Sequence, residues 1–364
     1  MKKLLLTLPL LLLLILPARA QEDGAYAAQR RELGLDGLEE AAGEYMDGYS
    51  LEGMDLDEGL SGVLDAGSAA LPDILRGAVK RCVLLLIVVL LCALAGGLSA
   101  GAGETSLPVV PLAGVLAVAA AGLGDVRTLL GLGTQTLERM TGFANVLLPA
   151  AAALTAATGA IAGAAARQMA AAVFSALLLN LISGLLVPML YAYLAASMGH
   201  AALGNEALKR VAELLKRAVT SILTALLLAF VGYLTLSGVV AGSADAAAVK
   251  AAKFAMSSAV PVVGGILSDA ADTVLASAGV LRGAVGVYGA VAVLMMCLVP
   301  FLRLGVHYLA YKLTAAVASA VADTPTAGLI DAMGSAFGLI LGMTGAAALL
   351  QLVALVSCLT AAAV

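Results

Sequence analysis

MGSAFGLILGMTGAAALLQLVALVSCLTAA, residues 333–362, runs thirty residues without a charge. A helix rises about 1.5 Å per residue and the hydrocarbon core of a bilayer is about 30 Å thick, so about 20 apolar residues suffice to cross it. This run exceeds that length and is expected to tilt or break. It is the last of a series. Apolar runs also occupy 82–100, 108–123, 143–163, 169–198, 218–241, 284–302 and 304–322. The pattern predicts an all-α, polytopic helical membrane protein.

Composition agrees. Of 364 residues, 62% are hydrophobic and only 12% charged, against roughly half and a quarter in soluble domains. Such a chain cannot hide its apolar surface in one water-exposed globule. Aromatic residues make up 4% and there is no Trp, whereas Gly supplies 40 residues. Small residues let membrane helices approach closely. No basic stripe with interleaved aromatics occurs, which excludes the electrostatic footprint of a nucleic-acid binder. Cys82, Cys92, Cys297 and Cys358 all sit in apolar runs without a CxxC pair. They read as small apolar packing residues rather than as a disulfide framework or a metal site.

The N-terminus divides the chain. Lys2 and Lys3 precede an apolar stretch from Leu4 to Leu16, then Pro17 and Ala18-Arg19-Ala20. A charged start, a short apolar core and an A-x-A site predict a cleaved signal peptide over 1–20, with an uncleaved anchor helix as the alternative. Residues 21–80 follow as an acidic extracytoplasmic head, loosely helical and interrupted at Gly48, Gly53, Gly59 and Gly62. Fourteen of the chain's 24 acidic residues lie between Glu22 and Asp73. The remainder, 81–364, is the multi-span domain of about seven to eight spans.

Charge placement bears on the count. If all eight runs cross, Lys209, Arg210, Lys216 and Arg217 fall on the same side as the exported head, against the positive-inside tendency. If 108–123, with Pro108 and Pro111, is a re-entrant or interfacial segment, the conflict goes, and seven full spans result. Arg76, Lys80 and Arg81 remain on the outer side without an explanation. The stretch from Asn205 to Ala218 is amphipathic, with Leu208, Val211 and Leu215 on one face and i,i+4 pairs Glu206–Arg210 and Glu213–Arg217. It suits a membrane surface, a docked partner or a solvated connector.

Nothing advertises catalysis. The two histidines, His200 and His307, are far apart, and no HExxH, GxSxG or Walker loop is present. No cofactor or metal site is expected, and the chain is not read as an enzyme. The informative groups are polar residues in or beside the apolar runs, because charges at membrane depth are costly unless paired or hydrated. Arg303 and His307 stand one helical turn apart after Pro300, with Lys312 beyond them. They could line a polar passage, or Arg303 could snorkel at a membrane edge. Asp269 and Asp272 follow Pro261 and Gly264-Gly265. They suit a cation site, or the first turn of a helix capped by Ser268. Gly334, Gly338 and Gly342 repeat every fourth residue, a small-xxx-small face for packing within the fold or between copies.

The C-terminal half resembles a known family. Ala252-Lys253-Phe254, Val260-Pro261-Val262-Val263-Gly264-Gly265 and Ser268-Asp269-Ala270-Ala271-Asp272-Thr273-Val274 carry the likeness, with Leu281-Arg282-Gly283-Ala284-Val285-Gly286 and Tyr311-Lys312-Leu313-Thr314-Ala315-Ala316. These are similar to the stage III sporulation protein AE family. The likeness is most specific over roughly 250–340 and only architectural before about residue 140. It implies a multi-pass protein of the mother-cell membrane around the forespore, within a complex of the other stage III A sporulation proteins. That complex is thought to meet the forespore protein stage II sporulation protein Q across the intermembrane space. It is proposed to form a secretion-like channel supporting forespore development. Lipid, those proteins and a homo-oligomer are the partners this implies, with no nucleic acid and no catalytic residues carried over. The alternative is a self-sufficient permease for a small solute, resting on Arg303, His307, Lys312 and the Asp269/Asp272 pair. No convincing repeat relates the two halves, as an inverted-repeat transporter would require.

Overall fold

The computed structural model describes residues 35–46, 49, 56–101, 109–157, 173–236, 284–321 and 324–361. The expected signal peptide and the Asp269/Asp272 segment lie outside them. Among the described residues there is no strand. The helices are α1 (Leu35–Ala42), α2 (Leu56–Gly101), α3 (Val109–Ala157), α4 (Val173–Leu203), α5 (Glu206–Leu236), α6 (Ala284–Ala318) and α7 (Thr324–Ala361). A single π-helical turn, Ile182–Leu186, interrupts α4. Helices α2 to α7 are each long and apolar enough to cross a membrane, six among the described residues. The chain is a multi-pass helical membrane protein.

Three features differ from the reading of the sequence. The runs 284–302 and 304–322 are one helix, α6, with Pro300 inside it. Proline removes a single backbone hydrogen bond, which a packed membrane helix tolerates. Arg303 points outward from the helix surface, from where its long side chain can snorkel without a break in the helix. This merger takes the expected seven spans to six among the described residues. Second, 108–123 is no re-entrant segment. It opens α3, a 49-residue helix, and Gly114 packs against Cys92 of α2. Pro111 falls in the first turn, where a missing N–H has no intrahelical partner to lose. Third, Gly59 and Gly62 do not interrupt helix. They lie inside α2, where Gly59 receives Val291 and Gly62 receives Tyr49. A helix that starts at Leu56 therefore runs unbroken from the expected head into the first span.

Contact pairs fix the helix directions. Arg81 meets Asp125 and Cys92 meets Gly114, so α2 and α3 are antiparallel. Gly334 meets Tyr311, Gly338 meets Tyr308 and Gly305 meets Leu341, so α6 and α7 are antiparallel as well. Gly59 with Val291 and Gly67 with Leu298 make α2 parallel to α6. Gly122 with Met333, Gly133 with Ile340 and Met140 with Gln351 make α3 parallel to α7. Two hairpins thus lie side by side in the same sense. In hydrocarbon, helices gain little from burying apolar surface against one another, so close packing at small residues supplies the association. Glycine stands at most of these approaches for that reason.

The core sits on α7. From Thr326 to Leu355 only Gly328, Asp331 and Val353 are not fully buried. A helix that is apolar all round suits such a place. The outer faces are apolar too: Val83, Leu84, Ile87, Leu90, Leu91 and Leu94 of α2 are each at least 44% exposed, as lipid contact allows. The α4–α5 turn is capped on both sides. Gly204 takes the left-handed conformation at φ +64°, and its N–H donates to the His200 carbonyl at 2.8 Å. Asn205 Oδ1 accepts from the Ala207 N–H at 2.8 Å, an N-cap for α5.

Helix α1 has only eight residues, too few to persist alone. Packing holds it, with Leu38, Ala42 and Met46 buried against the bundle. Arg139 of α3 lies 5.7 Å from the centre of the Tyr45 ring, donates to the Tyr45 hydroxyl and pairs with Glu44 at 3.9 Å. Burial pushes the Tyr45 phenol above its ordinary range, and the Arg139 charge opposes that rise.

Candidate functional site

Hydroxyls inside these helices mostly bond within their own helix. Thr128, Thr136, Thr141, Ser197, Thr220, Thr314 and Thr344 each donate to the carbonyl four residues earlier. Polar side chains that instead reach another helix are few among the described residues. Most of them gather at two nodes on consecutive residues of α6.

The first node centres on Asp125, which is buried. Tyr311 donates its hydroxyl to Asp125 Oδ2 at 2.7 Å, and Arg81 Nε stands 3.2 Å from Oδ1. One carboxylate so joins α2, α3 and α6, with one cation to balance it. The Tyr311 ring also packs edge-on against Phe337 of α7 at 4.9 Å.

The second node centres on Ser335 of α7. Lys312 Nζ donates to Ser335 Oγ at 2.7 Å and to Asp331 Oδ1 at 2.7 Å. Lys216 Nζ of α5 donates to the same Ser335 oxygen at 3.0 Å. Two ammonium groups therefore share one hydroxyl, and one of them, Lys312, also holds the Asp331 carboxylate. Tyr193 of α4 donates to the Ala332 carbonyl at 3.3 Å beside them. Four helices meet here. The Lys312 and Asp331 side chains are 29% and 49% exposed, so the ion pair is not sealed from its surroundings.

A third tie is a single bond. Gln351 of α7, fully buried, donates Nε2 to the Met140 carbonyl of α3 at 2.7 Å. Together these ties can fix helix positions and rotations. No group of three metal-ligating side chains converges among the described residues.

The residues singled out in the sequence fall as follows. Lys312 belongs to the second node. His307 is buried, and its Nδ1 lies 2.8 Å from the Arg303 carbonyl. A carbonyl only accepts, so Nδ1 carries the hydrogen. The Arg303 side chain is exposed, so the two residues face different surroundings despite their spacing. Gly334 and Gly338 lie against α6. A Cβ on Gly334 would stand 3.1 Å from Tyr311 Cβ and 3.4 Å from the Lys312 backbone nitrogen. One on Gly338 would stand 2.8 Å from the Tyr308 ring. Gly342 is buried. Asp125, Asp331, Ser335, Lys216, Tyr193 and Gln351 were not singled out as site residues. The signal that marks Asp125 and Asp331 is an acid standing within an otherwise apolar stretch.

Comparison with known proteins bears on identity. The family model described as Stage III sporulation protein AE matches residues 60–362. A stage III sporulation protein AE of Bacillus subtilis (strain 168) is 30% identical over 207 residues, covering 54% of this chain and 50% of that protein. The aligned part thus spans about half the length of that relative. No solved structure matches the chain.

Proposed function

The chain belongs to the stage III sporulation protein AE family, and on that premise we propose that it is a membrane subunit of the complex linking mother cell and forespore, needed for forespore development. The family implies a role in sporulation. The finer reading has this protein in the mother-cell membrane, assembled with the other stage III A proteins and, through them, facing stage II sporulation protein Q. Its contribution is structural rather than catalytic: a rigid helical body, with or without a share in lining a secretion-like channel.

The match over 60–362 carries this reading, because it takes in nearly the whole of the helical body. The site supports it. Lys312, which a permease reading would place in a passage, is engaged by Asp331 and Ser335. That arrangement suits a tie between helices that must hold shape within a larger assembly.

The test is made in sporulating cells of the source organism. Deleting the gene should abolish heat-resistant spores while leaving vegetative growth intact. An affinity-tagged chain should co-purify with the other stage III A proteins from solubilised membranes. Normal sporulation of the deletion strain, or solute transport by the purified chain alone in vesicles with no co-purifying partner, would reject the proposal.

A further inference from the structure

The first three turns of α5 carry Glu206, Lys209, Arg210, Glu213, Lys216 and Arg217. From Ala218 to Leu236 the helix has no charge. The helix is 31 residues long, about 46 Å at 1.5 Å per residue, and so outruns a hydrocarbon core of about 30 Å by roughly three turns. The charged turns therefore stand where an apolar span leaves hydrocarbon. That is the depth of lipid phosphate groups.

The charges are divided between two faces. Lys216 turns inward to Ser335. Arg210, Glu213, Leu214, Arg217, Ala218 and Ser221 lie at helical spacing along the other, open face. The Arg217 side chain is 82% exposed and only loosely paired with Glu213, at 3.8 Å. Lys209 pairs with Glu206 at the same distance. Exposed ion pairs of this length hold little energy, so both cations remain open to a better acceptor. No ion pair of Arg210 is seen among the described residues. Leu214, between the two arginines, is 66% exposed, and neighbouring Val211 is 47% exposed.

A free phosphate ion would match the arginines but not Leu214. An acidic protein segment would leave the same leucine without an apolar neighbour. A molecule with an anionic phosphate and an acyl chain satisfies both. Arginine presents several N–H donors in a fork that fits phosphate oxygens. Basic clusters beside a membrane span attract anionic lipid. We infer that this face of α5 seats the phosphate headgroup of an anionic phospholipid, with Arg210 and Arg217 on the phosphate and Leu214 against the glycerol ester and the first methylenes of the acyl chain.

The full-length chain in a neutral detergent provides the test, with short-chain phosphatidylglycerol as probe and short-chain phosphatidylcholine as control. The chain should bind phosphatidylglycerol in preference to phosphatidylcholine. The double substitution Arg210→Gln with Arg217→Gln should weaken that binding about 30-fold, taking roughly one kcal/mol per basic residue. Glu213→Gln, at the same surface, should strengthen it. All three proteins should elute as the same monodisperse particle, which separates lost binding from lost folding. Equal affinity for the two lipids, or unchanged affinity in the double variant, would overturn the inference. So would displacement of the lipid by millimolar inorganic phosphate, which would mark a simple anion site, or by an acidic peptide of equal charge.

Discussion

Tyr311 donates its hydroxyl to Asp125 at 2.7 Å across 186 residues of sequence. Asp125 is 7% exposed, so its charge depends on that hydroxyl and on Arg81 for the solvation it has given up. Tyr311→Phe keeps the ring, its packing on Phe337 and the helix, and removes only the donor. Hydrogen bonds to charged groups are worth about 1.5–3 kcal/mol, and a loss of stability in that range is expected. Thermal unfolding of the purified chain in detergent reads it. A variant as stable as the parent would mean that Arg81 alone satisfies the carboxylate.

The second node predicts an order of severity. Asp331→Ala leaves two ammonium groups directed at one hydroxyl with no counter-charge. Lys312→Met leaves one cation, Lys216, and one carboxylate nearby. The aspartate substitution should therefore destabilise more than the lysine one, although both remove the same ion pair. In a double-mutant cycle the two sites should show a coupling of about 1–3 kcal/mol, as residues in one network do. Equal effects would show that Lys216 does not feel Asp331, and additive ones that Lys312 and Asp331 are not coupled.

The two α7 glycines should respond differently to repair. Gly338→Ala drives a methyl group into the Tyr308 ring, and overpacking of this kind costs about 1–3 kcal/mol. Removing the ring in Gly338→Ala with Tyr308→Ala should restore much of the loss. Gly334→Ala meets the Tyr311 Cβ and the Lys312 backbone, neither of which a side-chain truncation removes. It should cost a similar amount and resist rescue by Tyr311→Ala. Spore counts and protein levels in the membrane fraction report both.

The parallel course of α2 and α6 is open to cross-linking. In a variant without native cysteines, Gly67→Cys with Leu298→Cys should form a disulfide on mild oxidation. Gly67→Cys with Thr314→Cys should not, because 16 residues of α6 separate the two positions, about 24 Å of helix. Cross-linking of the second pair and not the first would reverse the assigned register.

Reading the sequence reached the fold class because apolar length is a local property, and local properties survive in one dimension. It reached less of the site. Lys312 and Asp331 are legible in principle, since they lie at nearly equal distances from the α6–α7 turn and an antiparallel hairpin brings such positions together. Lys216 with Ser335 and Asp125 with Tyr311 depend on how separate hairpins dock, which no spacing encodes. Pro300 and Arg303 suggested a break because each is costly in an isolated apolar helix. Tertiary packing offsets the first cost, and an outward-pointing side chain that can snorkel lowers the second. Gly59 and Gly62 misled for a related reason: glycine weakens a lone helix, yet in α2 it admits Val291 and Tyr49.

Tyr311 and Lys312 are adjacent, so they point about 100° apart around α6. One is fastened toward α2 and α3, the other to α7. A rod pinned in two directions at the same height can neither spin nor slide by itself. Any rearrangement of the bundle therefore carries α3, α6 and α7 together, with independent travel left to the elements around them.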